Sequence, residues 1–179
     1  GALNIEPFGS SFTADLNTSL LNFSNNLSGL TLGKVGNAGD IIIGSNTSVA
    51  GDITVYGGNI VVNGLLTSSG DTNLHASSGI TQSAAITASG LGLHGTGTFT
   101  LTNTGNSVST LAGGSSSTKL GSLSYVNAGA LTLGSVNPTG ITATGDILVE
   151  TLSGDLTVSS NISTASTSAT AIRLNAGKS

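Results

Sequence analysis

From Leu30 onward the chain alternates apolar and polar residues in runs of a few residues, each bounded by Gly, Asn, Ser or Asp. Leu30 to Leu32, Gly39 to Ile43, Gly51 to Val55, Asn59 to Val62 and Gly64 to Leu66 are such runs. A period of two with turn residues at the boundaries predicts short strands, each with one inward face. The runs themselves recur. Gly51, Gly70 and Gly90 open consecutive units; Ile60 and Ile80 fall in matching places, as do Leu66 and Ile86, while Asp52 and Asp71 each follow an opening glycine. A unit of about 20 residues with so small an apolar face buries it by stacking on copies of itself. Parallel pairing of successive coils then satisfies the backbone, and roughly seven to nine coils at about 4.8 Å would make a rod of about 35–45 Å.

The strictest alternation is Thr96, Thr98, Thr100, Thr102 and Thr104, interleaved with Phe99 and Leu101. It places Phe99 and Leu101 inside and the threonines outside. A longer duplication overlies the short period: residues 28–63 match 129–163, with Leu30 on Leu131, Asp40 on Asp146 and Asp52 on Asp155. Its offsets drift, which assigns insertions to turns. Between the copies, Gly113 to Lys119 is a Gly/Ser cluster. It reads as a protruding loop within one domain, since the strand pattern resumes at Leu120, Leu123 and Val126.

Residues 1–29 differ. Phe8, Phe12, Leu16, Leu20, Phe23 and Leu27 recur every three or four residues, the spacing of an amphipathic helix, yet Asn, Ser and Thr between them equally suit irregular strands. Either form makes this segment an N-terminal cap or an atypical first coil, because an open stack end exposes core and strand edges. The solenoid proper is then 30–179.

Composition narrows the class of function. Only 7 % of residues are charged and 3 % aromatic, while Ser and Thr are abundant; yet 37 % are hydrophobic and regularly spaced, which opposes disorder. A net charge of −4 with four cationic side chains excludes the electrostatic footprint of nucleic-acid binding and leaves no basic patch for a membrane surface. No apolar run approaches the length of a membrane-spanning helix, so no insertion is predicted. The absence of cysteine suits an oxidising, extracellular space. The missing initiator methionine suggests a segment of a longer or processed polypeptide.

Candidate chemistry is sparse. Asp40, Asp52, Asp71, Asp146 and Asp155 all follow glycine. Asp52 and Asp71, a coil apart, have the placing of a glycosidase carboxylate pair, but a turn in which Gly takes positive φ and Asp closes the chain explains all five. Asp146, Glu150 and Asp155 are a weak calcium set, since alternation turns them to different faces. His75 and His94 fall on neighbouring coils at one corner; two histidines without a third ligand read as solvated turn residues. Asn17, Asn22, Asn26, Asn46 and Asn161 head Asn-x-Ser/Thr sequons in a chain rich in all three residues. The threonine run has the character of an ice-binding array, but neighbouring coils do not repeat it. No catalytic, cofactor-binding or metal site is predicted, and the chain is expected not to be an enzyme.

The runs GALTLGSVNPTGITATGDILVETLSGDLTVSSNIS and TFTLTNTGNSVSTLAGG resemble the repeat region of filamentous-haemagglutinin-like exoproteins, bacterial adhesins exported by two-partner secretion. The resemblance spans about residues 28–175. It implies an all-β fold, a right-handed parallel β-helix (β-solenoid), and a secreted or cell-surface location in a Gram-negative bacterium. It also implies a structural stalk or adhesive module meeting glycans or proteins of host or neighbouring cells. Val136-Asn137-Pro138-Thr139-Gly140-Ile141 approaches that family's secretion-domain motif, but Thr139 departs from it and the surroundings are ordinary repeat, so a turn is expected. The other functional expectation is a filament subunit that associates end to end; a carbohydrate-active β-helix enzyme ranks behind both.

Overall fold

A computed structural model describes residues 1–177 of the chain. The strands are β1 (Ala2–Ile5), β2 (Leu16–Asn17), β3 (Gly29–Leu32), β4 (Ile41–Ile43), β5 (Thr47–Val49) and β6 (Asp52–Val62). The chain continues through β7 (Leu66–Ser68), β8 (Asp71–Gln82), β9 (Ile86–His94), β10 (Thr98–Leu101), β11 (Ser107–Gly113) and β12 (Ser122–Asn127). The last coils hold β13 (Leu131–Leu133), β14 (Ile141–Ala143), β15 (Ile147–Thr151), β16 (Leu156–Val158), β17 (Ile162–Thr164) and β18 (Ile172–Asn175). There is no helix among the described residues, and all strands join one parallel, coiled sheet. The fold is an all-β parallel solenoid of about 8 coils, spaced about 21 residues apart.

The register shows why short alternating runs produce it. One line of inward side chains runs from Leu3 through Leu30, Ile53, Thr72, Leu91, Leu111 and Leu133 to Val158. A second runs from Leu16 through Ile41, Ile60, Ile80, Phe99, Leu123 and Ile147 to Ile172. Each coil therefore adds one residue to each line, and most of these side chains are fully buried. Burying an aliphatic side chain contributes about 1.5–3 kcal/mol, so the cost of ordering a coil is met only when neighbours cover both of its faces.

Several expectations hold in detail. Ile60 pairs with Ile80 and Leu66 with Ile86. Phe99 and Leu101 are fully buried while Thr96, Thr98, Thr100, Thr102 and Thr104 are exposed. Asp40 and Asp146 both precede residues of the second inward line, Ile41 and Ile147. Other registers differ. Gly90 lies opposite Asp71, so the 20-residue unit carries one residue more than the 19-residue unit before it. Leu30 shares its line with Leu133, not Leu131, because the drift between the duplicated halves is absorbed before that strand. Val126 turns outward and is half-buried, whereas Tyr125 takes the inward place.

Residues 1–29 contain irregular strands and no helix. β1 pairs with β3 and β2 with β4, so the backbone finds partners in the next coil and gains nothing from pairing within itself. Phe12, Leu16, Phe23 and Leu27 lean on the core, while Phe8 and Leu20 are exposed. Pro7, Gly9 and the Ser10-Ser11 pair favour a turn where the helical spacing would have needed a first turn of helix.

Thr72 is the polar exception in the first line. It is fully buried between Ile53 and Leu91, and its hydroxyl has no hydrogen-bond partner. A buried hydroxyl left unpaired costs about 1–3 kcal/mol, so Thr72→Val, which replaces OH by CH₃ at the same branch point, should stabilise the chain by about 1 kcal/mol. Urea denaturation of the two proteins measures this; a lower midpoint for the valine variant would show that the hydroxyl is satisfied.

Candidate functional site

The groove that could receive a ligand lies on the side of the solenoid where β6, β8 and β9 run together. Their registers align Tyr56 with His75 and His75 with His94. The three rings stack as a ladder: Tyr56 and His75 centroids are 4.4 Å apart with planes inclined 25°, and His75 and His94 are 4.0 Å apart at 8°. Coil spacing accounts for this, since parallel strands about 4.8 Å apart bring equivalent outward side chains nearly to ring-stacking distance. Residues 35–38 wall one end of the groove, and Gly114, Ser115 and Thr118 the other; the cavity is about 630 Å³.

The histidines are thus neighbours on successive coils, as their spacing predicts, but they are not solvated turn residues. Both lie in strands and are half-buried. Burial, reinforced by His94 alongside, holds the His75 imidazole down at about 4. Burial also lowers His94, with the backbone of Asn137 opposing that shift. The His94 Nε2 atom is buried and has no partner. The pair is therefore neutral in the folded chain near pH 7, and no third ligand is gathered around it: among the described residues no group of three His, Asp or Glu converges.

This gives a pH dependence with a definite sign. The folded pKa of His75 lies below the unfolded value of about 6.5, so the unfolded chain takes up the proton first. Stability is full above that unfolded value and falls as pH drops from about 6.5 to about 4. Because the ring is partly solvated, the loss is discounted to about 1–2 kcal/mol. His75→Gln should show a flatter urea midpoint between pH 7 and pH 4 than the wild type. Parallel curves would remove the histidine from the explanation.

The aspartates are engaged by the coils. Asp52 Oδ1 accepts the Asp71 N–H at 2.9 Å, so these residues stack as predicted, but the first serves the backbone of the second. Asp40 Oδ1 accepts from the Asn59 backbone N–H at 2.7 Å, and both its oxygens accept from Asn59 Nδ2 at 3.1 Å. Asp146 accepts from Ser166 and Ser168 hydroxyls, which hold its carboxyl below the usual range. The expected geometry of the Gly-Asp turn needs correction: of the five preceding glycines only Gly154 has positive φ. At Gly51 and Gly70 the requirement is close approach, since a Cβ would lie 1.9 Å from the Ser28 carbonyl oxygen and 2.1 Å from Asp52 Oδ1.

Asp155 is exposed and its backbone carbonyl accepts the Leu131 N–H; Glu150 is half-buried in β15. All five sequon asparagines are exposed, and Asn46 Oδ1 accepts the Leu65 N–H of the next coil. Residues 135–140 form a tight turn, with Val136 N–H donating to the Pro138 carbonyl at 3.1 Å. This turn lies over β9, where a Cβ on Gly90 or Gly92 would strike Val136 or the Asn137 carbonyl. The loop after Gly113 projects as expected and supplies a wall of the groove.

Two features escape a residue-by-residue reading. Tyr56 stands 19 residues before His75, the same step that separates His75 from His94, and that spacing is the signal that would have joined it to the pair. The buried amides Asn106 and Asn127 carry no such signal among so many asparagines. Comparison with known protein families, with curated proteins and with solved structures gives no match for this chain.

Proposed function

We propose that the chain is a non-enzymatic structural stalk or adhesive module of a secreted or cell-surface bacterial exoprotein, in the style of the filamentous-haemagglutinin-like repeats it resembles. The observation that carries this reading is backbone pairing that runs through all coils from β1 to β18 around one core. Bending such a rod requires stretching hydrogen bonds on one side of every coil at once, so the architecture supplies length and stiffness. Of the carboxylates most suggestive of hydrolysis, Asp52 and Asp71, Asp52 is committed to the backbone N–H of Asp71 in the next coil, which supports a structural role.

Beads carrying the chain should attach to host or neighbouring bacterial cells, and beads carrying an inert protein of similar charge should not. Equal attachment would count against the adhesive role. Release of reducing ends from polysaccharides by the wild type, lost in Asp52→Asn or Asp71→Asn, would overturn the non-enzymatic reading.

One observation favours the second reading, an end-to-end filament. In the last coil Val158, Ile172 and Leu174 are 51 %, 41 % and 36 % exposed although their partners in the coil before, Leu133, Ile147 and Val149, are fully buried. Further coils or a second copy would cover them. Sedimentation that shifts with concentration, and ceases to shift in Ile172→Lys, is the expected signature of a filament.

A further inference from the structure

We propose that the groove along Tyr56, His75 and His94 binds a neutral, polyhydroxylated ring, a sugar residue of an uncharged glycan. The inference rests on the adhesive part of the reading above and places the contact at one site. Its first support is charge. Among the described residues the groove lining contains no Lys, Arg, Asp or Glu, and an ionic ligand would surrender its hydration there without a counter-charge. The depressed basicity of both histidines keeps the lining uncharged at neutral pH.

The second support is shape. The ladder positions before Tyr56 and after His94 are glycines: Gly33 lies against the Tyr56 carbonyl, and the Gly114 N–H donates to the Leu93 carbonyl at 2.9 Å. No ladder side chain therefore stacks on the outer faces of Tyr56 and His94. Gly33 and Gly114 both have positive φ, 75° and 65°, which holds these positions for glycine. The result is a column of stacked rings that turns its ring edges to a cavity of about 630 Å³, a size typical of small-molecule sites.

The third support is the rim. Ser77 and Thr118 line the groove with exposed hydroxyls, each able to donate and to accept. A sugar ring sets its apolar C–H groups against the rings and its hydroxyls against this rim. An aromatic side chain from a peptide would match the rings but offer the rim nothing.

The chain contains two tyrosines and no tryptophan, and Tyr125 is fully buried away from the groove, so a ligand-induced change in tyrosine emission reports on Tyr56. Titrating the full chain with neutral gluco-, galacto-, manno- and chito-oligosaccharides should give a saturable change for at least one series. Sialylated and sulfated oligosaccharides and a phenylalanine-rich peptide serve as comparators. Tyr56→Leu, read by calorimetry, and His94→Leu should each weaken binding about five- to tenfold or more. Ala38→Leu, at an exposed position that lines the groove and stays outside the core, should weaken it as well and guards against variants that fail to fold. Binding confined to acidic glycans or to the peptide, no binding of any neutral series, or neutral binding that all three variants retain would each overturn the proposal. Attachment to cells separates the two levels: attachment that survives Tyr56→Leu and Ala38→Leu removes this site and leaves the adhesive reading standing, whereas a wild type that attaches to nothing removes the adhesive reading itself.

Discussion

Asn106→Ala should destabilise the chain by roughly 3–5 kcal/mol, far beyond the effect of an ordinary surface substitution. Asn106 is fully buried, and its amide makes five hydrogen bonds. Nδ2 donates to Gln82 Oε1 at 2.9 Å and to the Leu101 and Val126 carbonyls at 3.1 and 3.0 Å. Oδ1 accepts from Gln82 Nε2 and from the Ile86 N–H, both at 2.9 Å. Truncation leaves each of these partners to desolvate alone, and desolvation without a partner costs more than a bond contributes. Asn106→Asp is no remedy, because its second oxygen would face two carbonyls. Asn46→Ala is the control: Asn46 is exposed, its Oδ1 accepts a single backbone N–H, and its removal should cost about 1 kcal/mol or less. Guanidinium denaturation followed by circular dichroism measures both, and equal midpoints would show that water replaces the buried network. Hydrogen exchange should place the loss in the coils between Gln82 and Val126, since each coil of a solenoid contacts only its neighbours.

The same residue shows where sequence reading stops. The inward lines were legible because an apolar residue at every second place, repeated about every 20 residues, has few alternative explanations. Ile60 over Ile80 and Phe99 beside Leu101 follow directly. The corners were not legible. At a corner the chain has no period, and an asparagine that stands in for a backbone carbonyl, as Asn106 does for Ile86 and Asn127 for Val108, has the same letter as an exposed one. The N-terminal residues misled for a related reason. Spacing of three or four apolar residues is shared by a helix and by an irregular chain that leans on a core at intervals, and only the strand edge of the next coil decides between them. The ladder of the groove lies between these cases. Its histidines were paired correctly by spacing, but strand placement, and with it burial, needed the register.

The other large effect expected is at Gly95, immediately after the ladder. Gly95→Ala should cost roughly 4 kcal/mol or more. Two independent penalties meet there. Its φ of 123° is a conformation that L side chains rarely adopt, and a Cβ would lie 1.7 Å from the Ala76 carbonyl oxygen and 2.7 Å from its carbon. That neighbour is backbone of the preceding coil, held in its own ladder of hydrogen bonds, so relief requires moving strands apart and not turning a side chain. Gly36→Ala separates the two penalties: its φ is 87°, but nothing lies within 4 Å of the added carbon. Strain alone there should cost about 1–2 kcal/mol. The difference between the two variants then measures how far the coil spacing can open. If Gly95→Ala costs no more than Gly36→Ala, the coils part easily, and the stiffness on which the stalk reading depends is not a property of this solenoid. If it costs several times more, ring stacking along Tyr56, His75 and His94 should be disturbed together with the backbone, because Gly95 follows His94 directly and any shift of β9 against β8 carries that ring with it.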